Sequence, residues 1–187
     1  MYGLVNKAIE DMVCTRFGDE AWSAICEKAN VGTEVFVCMD SYPDDITYQL
    51  VGAASEVLNL SVPDVLKAFG EYWVEYTGEE GYGEMLSVCG STIQEFLQNL
   101  DALHSRVGMI YPELMPPSFC CTDVTSHSLH LHYYSKRQGL APMVVGLLQG
   151  LGTRFHVTLE TTQLEFKGSG SDHDVFFVEI QRQEALE

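Results

Sequence analysis

Basic residues are scarce in this sequence. Only 10 Lys and Arg stand against 27 Asp and Glu, which gives a formal net charge of −17 over 187 residues. Nucleic acids and anionic membrane surfaces are bound through clustered Lys and Arg, so the composition argues against both as partners. Long apolar runs are missing as well, since none approaches the roughly 20 residues needed to span a bilayer. The first residues show neither the basic start nor the cleavage site of a signal peptide. We therefore expect a cytoplasmic protein.

Motifs of common catalytic and metal sites are also missing. Six cysteines occur, none of them spaced as C-x-x-C. Adjacent cysteines such as Cys120 and Cys121 make a poor structural disulfide, so we expect reduced thiols. The sequence contains no G-x-S-x-G, no H-E-x-x-H and no phosphate-cradling glycine loop. Hydrolytic chemistry finds little support, and we expect a protein without a catalytic module.

The spacing of apolar residues changes along the chain. In the first half these residues recur at helical intervals, whereas beyond residue 117 the period is two. Two strand pairs are predicted, 118–124 with 128–136 and 155–166 with 175–181, and a helix over 141–151 separates them. A chain of 187 residues suits one domain. The expected class is α+β, with helices first and a four-stranded antiparallel sheet near the end.

A Y-x-S-x-R motif ends the second predicted strand, as Tyr133, Ser135 and Arg137. Because side chains on a strand alternate between its two faces, these three are expected to share one face. A phenol, a hydroxyl and a guanidinium can all donate hydrogen bonds to carboxylates. The motif predicts a clamp for an anionic ligand, although a sheet face with a surface Arg would have the same pattern.

His104 stands alone on the apolar face of a helix predicted over 91–107. One interpretation is a core or interface histidine, and on the helix pattern alone it is the commoner case. The other is an axial metal ligand, because a neutral imidazole binds iron well and a helix holds its ring firmly. A haem needs one axial base and donors that neutralise two buried propionates, so His104 and the Y-x-S-x-R motif complement each other.

A second group has residue types that suit zinc. Its spacing does not match a closed structural zinc site, and no C-x-x-C anchors it. Because the residue types still suit zinc, a zinc- or thiol-based redox regulatory module is kept as the alternative function. The group consists of Cys120, Cys121, His127, His130 and His132.

Five segments make the sequence similar to the H-NOX family, the haem nitric oxide/oxygen-binding domains. The chain particularly resembles the haem domain of the soluble guanylate cyclase beta subunit, over essentially its whole length. The segments are 1–6 (MYGLVN), 53–60 (AASEVLNL), 95–104 (EFLQNLDALH), 117–119 (PSF) and 131–135 (LHYYS).

The resemblance implies a role for each site residue. His104 would be the proximal iron ligand of haem b, and Pro117 would press on the macrocycle and distort it. The propionates would be held by Tyr133, Ser135 and Arg137. Further residues implied to line the haem pocket are Met1, Val5, Trp73 and Met143. The expected fold is one H-NOX domain, 1–187, with a distal helical lobe of about 1–63 and a proximal lobe of about 64–187.

The resemblance also implies a gas-sensing function. Oxygen-binding members carry a Tyr donor on the helix after the Y-x-S-x-R motif, and here Met143 falls near that position. Bound oxygen gains from a distal donor, whereas nitric oxide and carbon monoxide depend on one much less. Trp73 could supply an indole N–H to the pocket or simply pack in the core. We expect nitric oxide and carbon monoxide to bind ferrous haem, with a histidine kinase or cyclase receiving the signal in trans.

Overall fold

Helices fill the first part of the computed structural model, which describes residues 1–32 and 35–182. The predicted domain of 1–187 therefore extends over a few residues outside the described ranges. No described helix is both long enough and apolar enough to cross a membrane. The helices are α1 (Gly3–Phe17), α2 (Asp19–Ala29), α3 (Asp44–Leu58), α4 (Val62–Thr77), α5 (Gly83–Ser87), α6 (Ile93–Gln98) and α7 (Leu100–Ile110), with one wide turn, Gly78–Tyr82, between α4 and α5.

Two antiparallel hairpins form the sheet, as the period of two predicts. The strands are β1 (Ser118–Thr122), β2 (Ser128–Tyr134), β3 (Val157–Glu165) and β4 (Asp174–Arg182), and α8 (Ala141–Arg154) lies between the hairpins in the chain. The order across the sheet is β1-β2-β4-β3, so β2 and β4 join the two hairpins. The predicted α+β class with a four-stranded antiparallel sheet is confirmed.

Two apolar clusters form the core. The first is built by α1, α2, α3 and α4, and the second by α6, α7, α8 and the inward face of the sheet. Helix α4 contributes to both, because Leu66 and Phe69 belong to the first cluster and Val74 to the second. The division into lobes near residue 63 stays a prediction, and α4 is the helix that ties the two clusters together.

One predicted helix is in fact two. The apolar pattern predicts a single helix over 91–107, but the chain turns at Asn99, which separates α6 from α7. The Asn99 side chain donates a hydrogen bond to the Cys89 carbonyl at 2.9 Å. An Asn side chain that bonds backbone in this way competes with helix continuation. The break makes α7, which carries His104, a separate helix.

Helices α4 and α8 pack so closely that their crossing needs glycine. A Cβ atom added at Gly146 would lie 1.9 Å from the Lys67 carbonyl oxygen, and one at Gly70 would lie 2.1 Å from the Met143 carbonyl oxygen. Both positions are therefore filled by backbone of the opposite helix. This contact sets the spacing between the two apolar clusters.

A methyl group at this crossing is expected to destabilise the fold. For Gly146→Ala we expect the free energy of unfolding to fall by about 1–3 kcal/mol, the usual cost of overpacking. Equilibrium urea unfolding measures the change. The control is Gly108→Ala in α7, where an added Cβ meets nothing within 4 Å. It should be neutral or stabilising by up to about 1 kcal/mol, because alanine favours helix. Equal effects of the two substitutions would contradict the close crossing.

Candidate functional site

A cavity of about 530 Å³ lies between the two apolar clusters. Its volume is in the range of small-molecule and cofactor sites. Its walls are mostly apolar side chains from both clusters, such as Leu66 and Phe69 from the first and Phe96 and Leu103 from the second. All nine residues predicted for the haem site line this one cavity: Met1, Val5, Trp73, His104, Pro117, Tyr133, Ser135, Arg137 and Met143.

His104 presents its ring to this cavity from α7. Its Nδ1 lies 3.1 Å from the Pro117 carbonyl oxygen. Since a carbonyl only accepts, Nδ1 must carry a hydrogen, and in the neutral ring Nε2 then keeps its lone pair. Burial lowers the pKa of His104, while the Pro117 carbonyl and Asp101 act in the opposite direction. The imidazole is therefore neutral near pH 7 and able to coordinate a metal through Nε2.

The helix carrying His104 is fastened to the start of the sheet. Asp101, one turn earlier on α7, accepts hydrogen bonds from the Phe119 N–H at 2.7 Å and from the Ser118 hydroxyl at 2.9 Å. Asp101 and His104 thus grip the same short segment, 117–119. The sequence offered no signal for Asp101, because its partners lie across a proline-containing loop.

Aromatic contacts continue this connection into β2. The rings of His104 and Phe119 lie 5.8 Å apart, and those of Phe119 and Tyr133 lie 5.3 Å apart. Phe119 and Tyr133 are directly paired across β1 and β2. The imidazole and the phenol of the Y-x-S-x-R motif are therefore linked by one intervening ring.

The Y-x-S-x-R residues meet at the cavity, but not for the reason that strand geometry suggests. Strand β2 ends at Tyr134, so Ser135 and Arg137 belong to the loop before α8 and do not continue a strand face. That part of the prediction is wrong. The loop is held locally, because the Arg137 N–H donates to the Ser135 hydroxyl at 3.1 Å. Burial raises the pKa of the Tyr133 phenol, which stays a neutral donor.

Arg137 has a carboxylate partner that the sequence reasoning missed. Its Nε and Nη2 bond the two oxygens of Asp44 at 2.8 and 3.1 Å, and its Nη1 donates to the Met115 carbonyl at 2.8 Å. The hydrogen bond from Arg137 holds the pKa of Asp44 below its usual range. The Met1 ammonium lies 2.6 Å from Asp44 as well. In the sequence, no pattern marks Asp44 as a partner of Arg137.

The four remaining predicted residues enter the cavity from the start of the chain and from three helices. Met1 and Val5 come from the start of the chain and α1, Trp73 from α4 and Met143 from α8. Trp73 lines the cavity and also packs on Phe69, with ring centres 5.9 Å apart. The half-buried Trp73 ring is therefore both a wall of the cavity and part of the core packing.

The zinc alternative finds no support in the geometry. Cys120 and Cys121 are consecutive on β1, so they point to opposite faces. His130 bonds Asp123 at 2.8 Å, and His132 bonds His173 at 2.9 Å, both on the outer face of the sheet. Within residues 1–32 and 35–182, no group of three or more His, Cys, Asp or Glu is placed to hold a metal ion.

The cavity suits a particular kind of cofactor. A neutral imidazole can hold a metal, apolar walls from both clusters can cover a flat apolar ring, and the donors of Tyr133, Ser135 and Arg137 can receive carboxylates. Haem combines these three properties, and the residues present fit it. The single Arg is partly neutralised by Asp44, and two of its five N–H groups are left for a further anion.

Comparison with known proteins agrees with a haem site. The family model described as Haem-NO-binding matches residues 2–163. Soluble guanylate cyclase gcy-35 of Caenorhabditis elegans is 32% identical over 162 residues, which cover 84% of this chain and 23% of that protein. The relative gcy-37 is 31% identical over 188 residues, with 96% of this chain and 27% of that protein covered. The chain thus spans about a quarter of the length of these relatives.

Solved structures share the fold at lower identity. A triple mutant of an H-NOX protein from S. oneidensis in the Fe(II) ligation state superposes with a TM-score of 0.89 at 24% identity, with 100% of both chains covered. An H-NOX protein from K. algicida gives a TM-score of 0.84 at 24% identity and covers 100% of this chain and 99% of its own. These likenesses establish the fold, and the match of the family model over most of the chain establishes the relationship: the chain belongs to the haem-NO-binding, or H-NOX, family.

Proposed function

We propose that this chain is a haem-based sensor that binds nitric oxide and carbon monoxide at ferrous haem b. The observation that carries the proposal is the neutral His104 imidazole, which faces a largely apolar cavity shared with three carboxylate-binding donors. Bound haem would supply the ferrous iron that takes the gas. The family to which the chain belongs is described by the same ligands, haem and nitric oxide.

Each predicted residue has a place in this proposal. His104 would hold the iron through Nε2, and Tyr133, Ser135 and Arg137 would hold the propionates. Pro117 would press on the macrocycle from the side of His104, since its carbonyl is bonded to that ring. The gas-binding side would be lined by Met1, Val5, Trp73 and Met143. In this arrangement haem would lie between a distal lobe of about 1–63 and a proximal lobe of about 64–187.

Helix α7 is the element through which His104 could report its state. Asp101 and His104 hold α7 to segment 117–119 through three hydrogen bonds. A change in what His104 binds would alter this fastening, and a helix with two stable positions could convert it into a signal. We propose that α7 shifts against the sheet when the His104 bond is weakened by nitric oxide.

The signal would pass to a partner protein in trans, either a cyclase or a histidine kinase. The relatives gcy-35 and gcy-37 are described as soluble guanylate cyclases, which supports the cyclase. A net charge of −17 would favour a partner with a basic surface. All six cysteines are free thiols, which agrees with a reducing, cytoplasmic setting.

Removal of the His104 imidazole should separate haem binding from the response of α7 to nitric oxide. We expect His104→Gly to lose most of its haem, because the axial ligand is gone, and to regain it when free imidazole is added. The haem-loaded variant should then show no nitric oxide-induced change in amide hydrogen exchange along α7. Soret absorbance measures haem content, and exchange mass spectrometry measures α7. A variant that keeps full pigment and axial coordination without imidazole would contradict the assignment.

Gas selectivity should follow the side chain at position 143. In air, the ferrous protein is expected to form no stable oxygen complex, because Met143 offers no hydrogen-bond donor. Met143→Tyr adds a phenol donor and should allow an oxygen complex to accumulate, while Met143→Leu serves as the control without a donor. Visible spectra under air, carbon monoxide and nitric oxide record the difference. A stable oxygen complex of the unsubstituted protein would overturn the proposed selectivity.

A further inference from the structure

We propose that Asp44 is a positioning residue that holds the Arg137 guanidinium in the orientation required by a carboxylate of the cofactor. The inference rests on the proposed haem site and adds to it a residue outside the Y-x-S-x-R motif. Asp44 lies 93 residues before Arg137 in the chain, in the first turn of α3. It therefore reaches the clamp from a different element of the fold.

The guanidinium contacts are divided between its edges. Asp44 takes the edge formed by Nε and Nη2, with both of its oxygens engaged, and the Met115 carbonyl takes one N–H of Nη1. A guanidinium has five N–H donors in a rigid plane. Three are used by these partners, so one N–H of Nη1 and one of Nη2 remain. A planar fork with two free donors can still receive a carboxylate.

The pair is partly sheltered from water, with the Arg137 side chain 17% exposed and that of Asp44 35% exposed. The Arg137 hydrogen bond lowers the pKa of Asp44, so the carboxylate stays charged at neutral pH. Helix α3 has a second tie to the same loop, because the Tyr48 hydroxyl donates to the Gln138 carbonyl at 3.0 Å. Helix α3 thus braces the loop that carries the clamp.

Two opposite effects of Asp44 can be distinguished. If Asp44 only competed with the cofactor for Arg137, its removal would tighten haem binding. If Asp44 positions Arg137, its removal should weaken binding, because a free Arg side chain must lose rotamer entropy when it binds. The bidentate geometry and the additional Met115 contact favour positioning, since they fix the side chain and leave donors free.

The rate of haem transfer to excess apomyoglobin tests this inference on the haem-loaded protein. We expect Asp44→Asn to lose haem roughly tenfold faster than the unsubstituted chain, a factor that corresponds to about 1.4 kcal/mol. The matched control is Asp45→Asn, which removes the same charge from the same helical turn, where Asp45 is exposed. It should stay within about twofold. If Asp44→Asn does not fold, Asp44→Glu keeps the charge, displaces the carboxylate and should also lose haem faster.

A double-mutant cycle shows whether Asp44 acts through Arg137. Arg137→Gln should itself speed haem loss, and Asp44→Asn should add nothing once Arg137 is gone. Additive effects would overturn the positioning role, as would haem loss from Asp44→Asn that is unchanged or slower. A wild-type chain that never takes up haem would overturn the proposed function and this inference together. Haem-loaded variants with unchanged transfer rates would overturn the inference alone.

Discussion

The rest of the site depends on the way α7 is fastened to the start of β1. Asp101 and His104 lie one helical turn apart, and both bond residues 117–119. These bonds fix the direction of the imidazole, its tautomer and the position of Pro117 beside it. Without them, the apolar face of α7 would still pack, but nothing would orient Nε2 toward the cavity. The contact between α7 and segment 117–119 therefore makes His104 a potential metal ligand.

The cavity exists because two apolar clusters are held at a set distance. The glycine crossing of α4 and α8 brings backbone against backbone, and α4 contributes side chains to both clusters. A helix that belongs to two cores cannot move without disturbing both. The same crossing positions Trp73 and Met143, which line the cavity from these two helices. Packing thus provides the shape of the pocket, and α7 provides its chemistry.

At the charged edge of the cavity, around Arg137, electrostatics matters more than packing. An Arg beside a largely apolar cavity needs a partner, because an unpaired charge there would be costly. Asp44 meets this need and still leaves part of the guanidinium free. The clamp is therefore assembled from a loop, a helix start and the Met115 carbonyl, three pieces distant in sequence. A chain with a net charge of −17 places one of its few cations where an anionic cofactor group would be bound.

Local patterns in the sequence were sufficient for the α+β class, the two hairpins and the solitary His104 on an apolar helix face, because periods of 3.6 and two are read from neighbouring residues. His104 and the Y-x-S-x-R residues were recognised from the pattern itself, whereas the resemblance to H-NOX domains supplied Pro117, Met1, Val5, Trp73 and Met143, and all nine line one cavity. Only the tertiary structure revealed the turn at Asn99, the loop position of Ser135 and Arg137, and the pairing with Asp44. The pairing with Asp44 joins residues 93 positions apart. The turn at Asn99 and the loop after β2 involve hydrogen bonds between single side chains and the backbone, and none of these contacts leaves a periodic trace in the sequence.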